Sequence, residues 1–115
     1  MRRNRSALAA WHDHAPVFAA LGDRTRLTLV SKLSDRKPHS ISQLTDGSNL
    51  TRQAITKHLR VLESAGLVRS ARSGRESLFE FDPKPVVKIR EHLQMVSEQW
   101  DQALSRLKTF VEDGD

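Results

Sequence analysis

The stretch LTRQAITKHLRVLESAGL, residues 50–67, limits the fold more than any other because its two sides need different surroundings. Wound as an α-helix at about 100° per residue, it places Ala54, Ile55, His58, Leu59, Val61, Leu62 and Ala65 on one side. Arg52, Gln53, Thr56, Lys57, Arg60, Glu63 and Ser64 fall on the other. The first side needs a protein core. The second carries three cations, Arg52, Lys57 and Arg60, together with Gln53 and Thr56, which both donate and accept hydrogen bonds. Those groups reach base edges and phosphates in a major groove. An ordinary surface helix has the same amphipathic pattern, so the flanking sequence decides between the two.

Charge is the first flanking signal. The net charge of +5 is concentrated in one segment. Residues 52–75 hold Arg52, Lys57, Arg60, Arg69, Arg72 and Arg75 against the single acid Glu63, whereas residues 84–115 hold five cations and six acids. A basic segment of this kind is an electrostatic footprint for a polyanion. With no cysteine, disulfides, thiolate metal sites and thiol catalysis are excluded, in keeping with a cytoplasmic protein. No apolar run approaches the ~20 residues that span a bilayer, and the start, MRRNRSALAAW, lacks the hydrophobic stretch of a signal peptide. No membrane partner is expected. Hydrophobic residues make up 37% of the chain, which leaves room for a second subunit to complete the core.

Taken in order, residues 1–13 read as a basic, frayed arm in which Leu8, Ala9, Ala10 and Trp11 can form a short helix against a partner. Pro16 suits a first helical turn, with Val17, Phe18 and Leu21 as its apolar face and Gly22 as its stop. Asp23 is placed to cap the next helix, DRTRLTLVSKL, which offers Leu27, Leu29, Val30 and Leu33 to the core. Residues 34–39 are a loop. Ser40 and Gln43 form a capping box that opens a short helix with Ile41 and Leu44 inward. The turn Asp46-Gly47-Ser48-Asn49 then leads into the two-sided helix, giving a helix-turn-helix that Gly66 terminates.

Residues 67–72 and 77–81 flank Ser73-Gly74-Arg75-Glu76 and read as a β-hairpin with a four-residue loop, a wing tipped by Arg72 and Arg75. Asp82-Pro83-Lys84-Pro85 is a break. From residue 86 to 111 a seven-residue repeat places Val86, Leu93, Trp100 and Leu107 at one position and Ile89, Val96, Ala103 and Phe110 at the other. A helix of ~26 residues runs roughly 39 Å, longer than so small a core can cover, so self-association through this seam is expected. The reading is a mainly α fold with a small β-hairpin: a basic arm at 1–13, a winged helix-turn-helix at 14–83 and a dimerisation helix at 84–115.

This arrangement resembles the ArsR/SmtB family of winged helix-turn-helix transcriptional regulators. The resemblance rests on Ala20-Leu-Gly-Asp-Arg-Thr-Arg-Leu27, on residues 50–62 (LTRQAITKHLRVL), on Glu63-Ser-Ala-Gly-Leu-Val68 and on the turn Ser73-Gly-Arg75. It implies a cytoplasmic homodimeric repressor that binds a near-palindromic operator and is released by a small-molecule inducer. Metal sensors of the family carry a cysteine motif where this chain has Ser40-Ile-Ser-Gln-Leu-Thr-Asp46. Their terminal-helix zinc ligands are also missing, since Arg90 precedes His92 by two positions and Ala103 stands at the later site. No metal or other cofactor is therefore expected.

The residues expected at double-stranded DNA are Thr51, Arg52, Gln53, Thr56, Lys57 and Arg60 from the recognition helix, with Arg72, Gly74 and Arg75 from the wing. Arg and Gln have the bidentate geometry for guanine and adenine. Lys57 and Arg60 suit phosphate equally well, and Thr51 serves either as a cap or as a site where helix-end amides meet a phosphate. His58 lies on the apolar side, where a packed, hydrogen-bonded imidazole outweighs a base contact. His12 and His14 flank Asp13 in the arm, where solvated histidines outweigh a metal site. Catalysis has no P-loop and no nucleophile beside a base to work with. The alternative to DNA readout is a winged-helix module that binds a protein, which calls for a less basic and more aromatic face.

Overall fold

A computed structural model describes residues 2–113, with side chains from residue 8 onward. Its elements are helices α1 (Arg2–Asp13), α2 (Ala15–Leu21) and α3 (Arg24–Lys32), strand β1 (His39–Ser40), helices α4 (Ile41–Thr45) and α5 (Arg52–Ser64), strands β2 (Val68–Ser73) and β3 (Glu76–Phe81), and helix α6 (Lys84–Asp113). A 3₁₀ turn, Leu33–Asp35, closes α3. The described residues fall into two compact units, divided between Pro85 and Val86. No helix among the described residues is long and apolar enough to cross a membrane.

Local chemistry starts each short helix. Asp23 accepts from the Arg26 amide at 3.0 Å. Ser40 and Gln43 satisfy each other's backbone amides in a full capping box, and Thr51 accepts from the Ala54 amide at 3.1 Å. Each bond supplies an amide that the helix itself leaves without a partner. At the far end of α5, Gly66 adopts a left-handed φ of 78°, and the Leu67 amide reaches back to the Leu62 carbonyl at 3.0 Å.

The core of the first unit joins Val17 and Ala20 of α2, Leu29 of α3, Leu33, Leu44 of α4, Ile55, Leu59 and Leu62 of α5, Leu67, Val68 and Phe79. Not every apolar residue offered to it is taken. Leu27 is 51% exposed and Phe18 45% exposed. Leu29 and Leu33 share a face one helical turn apart, and Leu27 lies on the far side from both. Val61, at the edge of the apolar side of α5, is also exposed.

Three further features depart from the sequence reading. Residues 2–13 are continuously helical rather than a frayed arm with a short helix. Residues 39–40, read as the end of a loop and a cap, form a strand that pairs with β3, so the sheet has three antiparallel strands in the order β1-β3-β2. The hairpin is also tighter than expected: Ser73 pairs with Glu76, leaving a two-residue loop of Gly74 and Arg75. Gly74 has φ +63°, the positive φ that a two-residue turn of type II′ demands at its first central position.

Helix α6 begins at Lys84, so Pro85 lies inside its first turn. A proline is tolerated there because an amide at that position has no intrahelical acceptor. Along the expected seam Val86, Leu93, Trp100, Leu107 and Phe110 are exposed, Val96 and Ala103 half-buried and Ile89 buried.

Candidate nucleic-acid interface

Helix α5 is fixed from below and behind, which turns its polar side outward. Ile55, Leu59 and Leu62 are buried, while Arg52, Gln53 and Lys57 are exposed. The turn before it is held by Lys32, whose ammonium donates to the Leu44 carbonyl at 3.1 Å and the Asp46 carbonyl at 3.2 Å. The Arg52 guanidinium donates to the Ser42 hydroxyl on α4. Thr56 is half-buried and its hydroxyl donates to the Arg52 carbonyl at 2.7 Å, and Thr51 is engaged as the cap of α5.

The wing rises beside this helix. Arg72, Gly74 and Arg75 are exposed. A cleft of about 200 Å³ lies where the first turn of α5 meets the hairpin tip, lined by Ser42, Arg52, Arg75, Glu76 and Ser77 among others. Gln53, Lys57, Arg72 and Arg75 have no hydrogen bond or ion pair with another side chain among the described residues.

The other two cations of the basic segment are spoken for. Arg69 lies 3.8 Å from Glu80 and 3.9 Å from Asp82. Arg60 Nη1 donates to Glu63 Oε1 at 2.8 Å, and its guanidinium carbon stands 5.8 Å from the centre of the Phe79 ring. Glu63 Oε2 accepts from the Ser70 hydroxyl at 2.5 Å. That bond first, and the Arg60 cation second, hold the Glu63 carboxyl below its ordinary range. Charge counting along residues 52–75 misses this division, because Glu80 and Asp82 lie beyond the segment and reach Arg69 only through strand pairing and the chain that leaves it.

His58 is brought to the junction of α2 and α3. Its Nδ1 lies 3.1 Å from Arg26 Nη1 and 3.7 Å from Asp23 Oδ2. Arg26 also donates through Nε to the Ala20 carbonyl at 2.6 Å. The Asp23 carboxyl is lowered, chiefly by the hydrogen bond from the Arg26 amide. The packed, hydrogen-bonded imidazole is thus the form His58 takes. His14 packs edge-on against Trp11 with ring centres 5.9 Å apart. Among the described residues no group of three His, Asp or Glu side chains is placed to hold a metal ion.

Reading the residues singly did not mark Ser42, Arg26 or Glu63 as partners of the candidate interface. Arg26 carries a signal, since it belongs to the Ala20–Leu27 word together with Asp23. Ser42 and Glu63 carry none that sequence spacing reveals.

Residues 21–71 match the helix-turn-helix domain family. The chain is 42% identical over 76 residues to the HTH-type transcriptional regulator YuzN of Bacillus subtilis, covering 61% of this chain and 83% of that protein. An ArsR-like transcriptional regulator from Rhodococcus sp. RHA1 has a solved structure that superposes with a TM-score of 0.78 at 34% identity, covering 89% of this chain and 95% of that one. The homodimeric winged helix-turn-helix DNA-binding domain of Mb0332 from Mycobacterium bovis shares the fold, with a TM-score of 0.62 at 20% identity over 84% of this chain and 88% of that one. The first two are transcriptional regulators rather than enzymes, and on their identity and coverage the chain belongs to the ArsR-type winged helix-turn-helix transcriptional regulators.

Proposed function

We propose that the protein is a homodimeric repressor that binds a near-palindromic operator in double-stranded DNA, in the cytoplasm, and covers the promoter while bound. The carrying observation is the set of exposed side chains without internal partners, Gln53 and Lys57 on α5 and Arg72 and Arg75 on the wing. Arg52 lines the cleft between the first turn of α5 and the hairpin tip. Arg52 and Gln53 read base edges from the first turn of α5, with Ser42 steadying the Arg52 fork. Thr56 contributes from the next turn. Lys57, Arg72 and Arg75 meet phosphates, Gly74 lets the wing backbone approach closely, and Thr51 presents the amino end of α5.

Dimerisation is assigned to α6, through Val86, Leu93, Val96, Trp100, Ala103, Leu107 and Phe110, whereas Ile89, expected on the same seam, is already buried in the single chain. Its support is the exposure of large apolar side chains along that helix, with Trp100 64% and Phe110 73% exposed. The homodimeric Mb0332 domain has the same fold. Two α5 helices related by a two-fold axis then enter successive major grooves about 34 Å apart. Release by a small-molecule inducer belongs to the same reading, carried by the family resemblance.

The test is selection of bound duplexes from a random pool by the full-length protein, with sedimentation to establish its oligomeric state. The expected result is a two-fold symmetric motif bound by a dimer. Failure to enrich any duplex at low salt, or a monomer at micromolar concentration, overturns it.

A further inference from the structure

We propose that Glu63 is a positioning residue that sets the wing against the recognition helix, and that Arg60 serves this latch rather than a DNA phosphate. The inference rests on the DNA-binding reading above and deepens it.

Glu63 is the sole acid among residues 52–75. On charge alone it opposes a polyanion, and removing it strengthens DNA binding. The geometry gives it another role. Its Oε1 receives Arg60 from one turn earlier on α5, at 2.8 Å, while its Oε2 receives the Ser70 hydroxyl of β2 at 2.5 Å. Arg60 in turn lies over Phe79, the fully buried residue of β3. Ser70 and Phe79 are direct partners in the β2–β3 register. The end of α5 therefore grips both strands of the hairpin at one rung, with a charge-assisted hydrogen bond on one strand and a cation over a ring on the other. The wing tip, with Arg72 and Arg75, lies a few residues beyond that rung, so a change in the grip is carried to the tip.

A phosphate contact needs a guanidinium free to leave its partner, whereas Arg60 uses its fork and its flat face internally. Lysine keeps the charge but has neither the fork nor the face. The two roles of Arg60 therefore give opposite results for R60K.

The experiment measures binding of the selected duplex to full-length protein by fluorescence anisotropy. The variants are E63A, S70A, R60A, R60K and R72A/R75A, with E63A and S70A also placed in the R72A/R75A background. The latch predicts that E63A weakens binding about fivefold or more, that R60K behaves like R60A, and that E63A adds nothing once the wing arginines are gone. Stronger or unchanged binding by E63A, retention of binding by R60K, or the same loss from E63A in both backgrounds overturns it. If E63A does not fold, S70A, which removes one exposed hydroxyl, carries the same comparison. Amide hydrogen exchange gives a readout without DNA: E63A should speed exchange in β2 and β3 while α5 amides near Leu59 hold, and unchanged exchange in the strands overturns the latch. A wild-type protein that binds no duplex would sink the DNA reading while this exchange result still judged the latch.

Discussion

Nδ1 of His58 lies 3.1 Å from Nη1 of Arg26, and because a guanidinium has only donors, the imidazole nitrogen is the acceptor. Arg26 joins three chain segments: His58 on α5, the Ala20 carbonyl on α2 and, through its amide, Asp23 ahead of α3. This hub fixes α5 to the frame behind it.

Removing the hub should lower stability. Arg26→Ala leaves the Ala20 carbonyl and the His58 nitrogen without their donor, which costs about 2 kcal/mol for bonds of a charged donor. His58→Ala removes one acceptor and should cost about 1 kcal/mol. Urea unfolding monitored by circular dichroism measures both. An Arg26→Ala midpoint indistinguishable from wild type would show that the hub is not a tie.

Arg52→Ala addresses base reading. Loss of a bidentate contact should reduce discrimination between operator and random duplex by about 1–3 kcal/mol, with a smaller effect on random duplex. Anisotropy titrations at one salt concentration on both duplexes decide it. Equal losses would mean that Arg52 meets only the backbone.

The two-faced helix, the turn before it and the caps at Asp23, Ser40 and Thr51 are legible in sequence because each depends on residues within four positions of one another. Strand β1 is not. Two residues carry no periodicity, and their pairing with Leu78 and Phe79 is set from about forty positions away. Arg60 is obscured for the same reason. A helical wheel places its Cα on the polar side with Arg52 and Lys57, but the long side chain reaches Phe79 on a strand whose position only the fold supplies. The exposure of Leu27 follows from which side of α3 meets α5, and composition does not say. The wing loop is two residues shorter than its polar sequence suggests, because Ser73 and Glu76 both continue the ladder.

Self-association can be tested on the seam. Trp100→Glu or Leu107→Glu places a charge on an exposed apolar position of α6, where it costs nothing in a lone chain but must be desolvated in a dimer. Sedimentation should show dissociation at micromolar concentration with the helical circular dichroism of the first unit retained. An intact dimer in both variants would move the interface elsewhere.

Acid should loosen the protein in part through Glu63. Its carboxyl lies below the ordinary value of 4.5, first because Ser70 bonds the charged form and second because Arg60 does. A group depressed on folding stabilises fully above its unfolded value, and that contribution is lost as pH falls through the folded one. Asp23 and Asp35 are lowered as well, by the amides of Arg26 and Lys37, so the wild type declines from several sites. Urea midpoints between about pH 5 and about pH 3 should fall less steeply for Glu63→Gln than for wild type. Parallel curves would mean that the folded carboxylate gains nothing from its partners.

Ser40 belongs to two elements at once: it stands opposite Leu78 in the sheet and caps the first turn of α4. A residue with two masters cannot move for one alone. Sliding β3 by one position would shift the opening of the reading unit by about 3.3 Å and turn Phe79 from the interior to solvent. Lengthening the hairpin beyond Ser73 and Glu76 disturbs neither. Insertions that lengthen the hairpin without disturbing α4 are thus confined to its outermost loop, while the strands beneath keep a fixed frame.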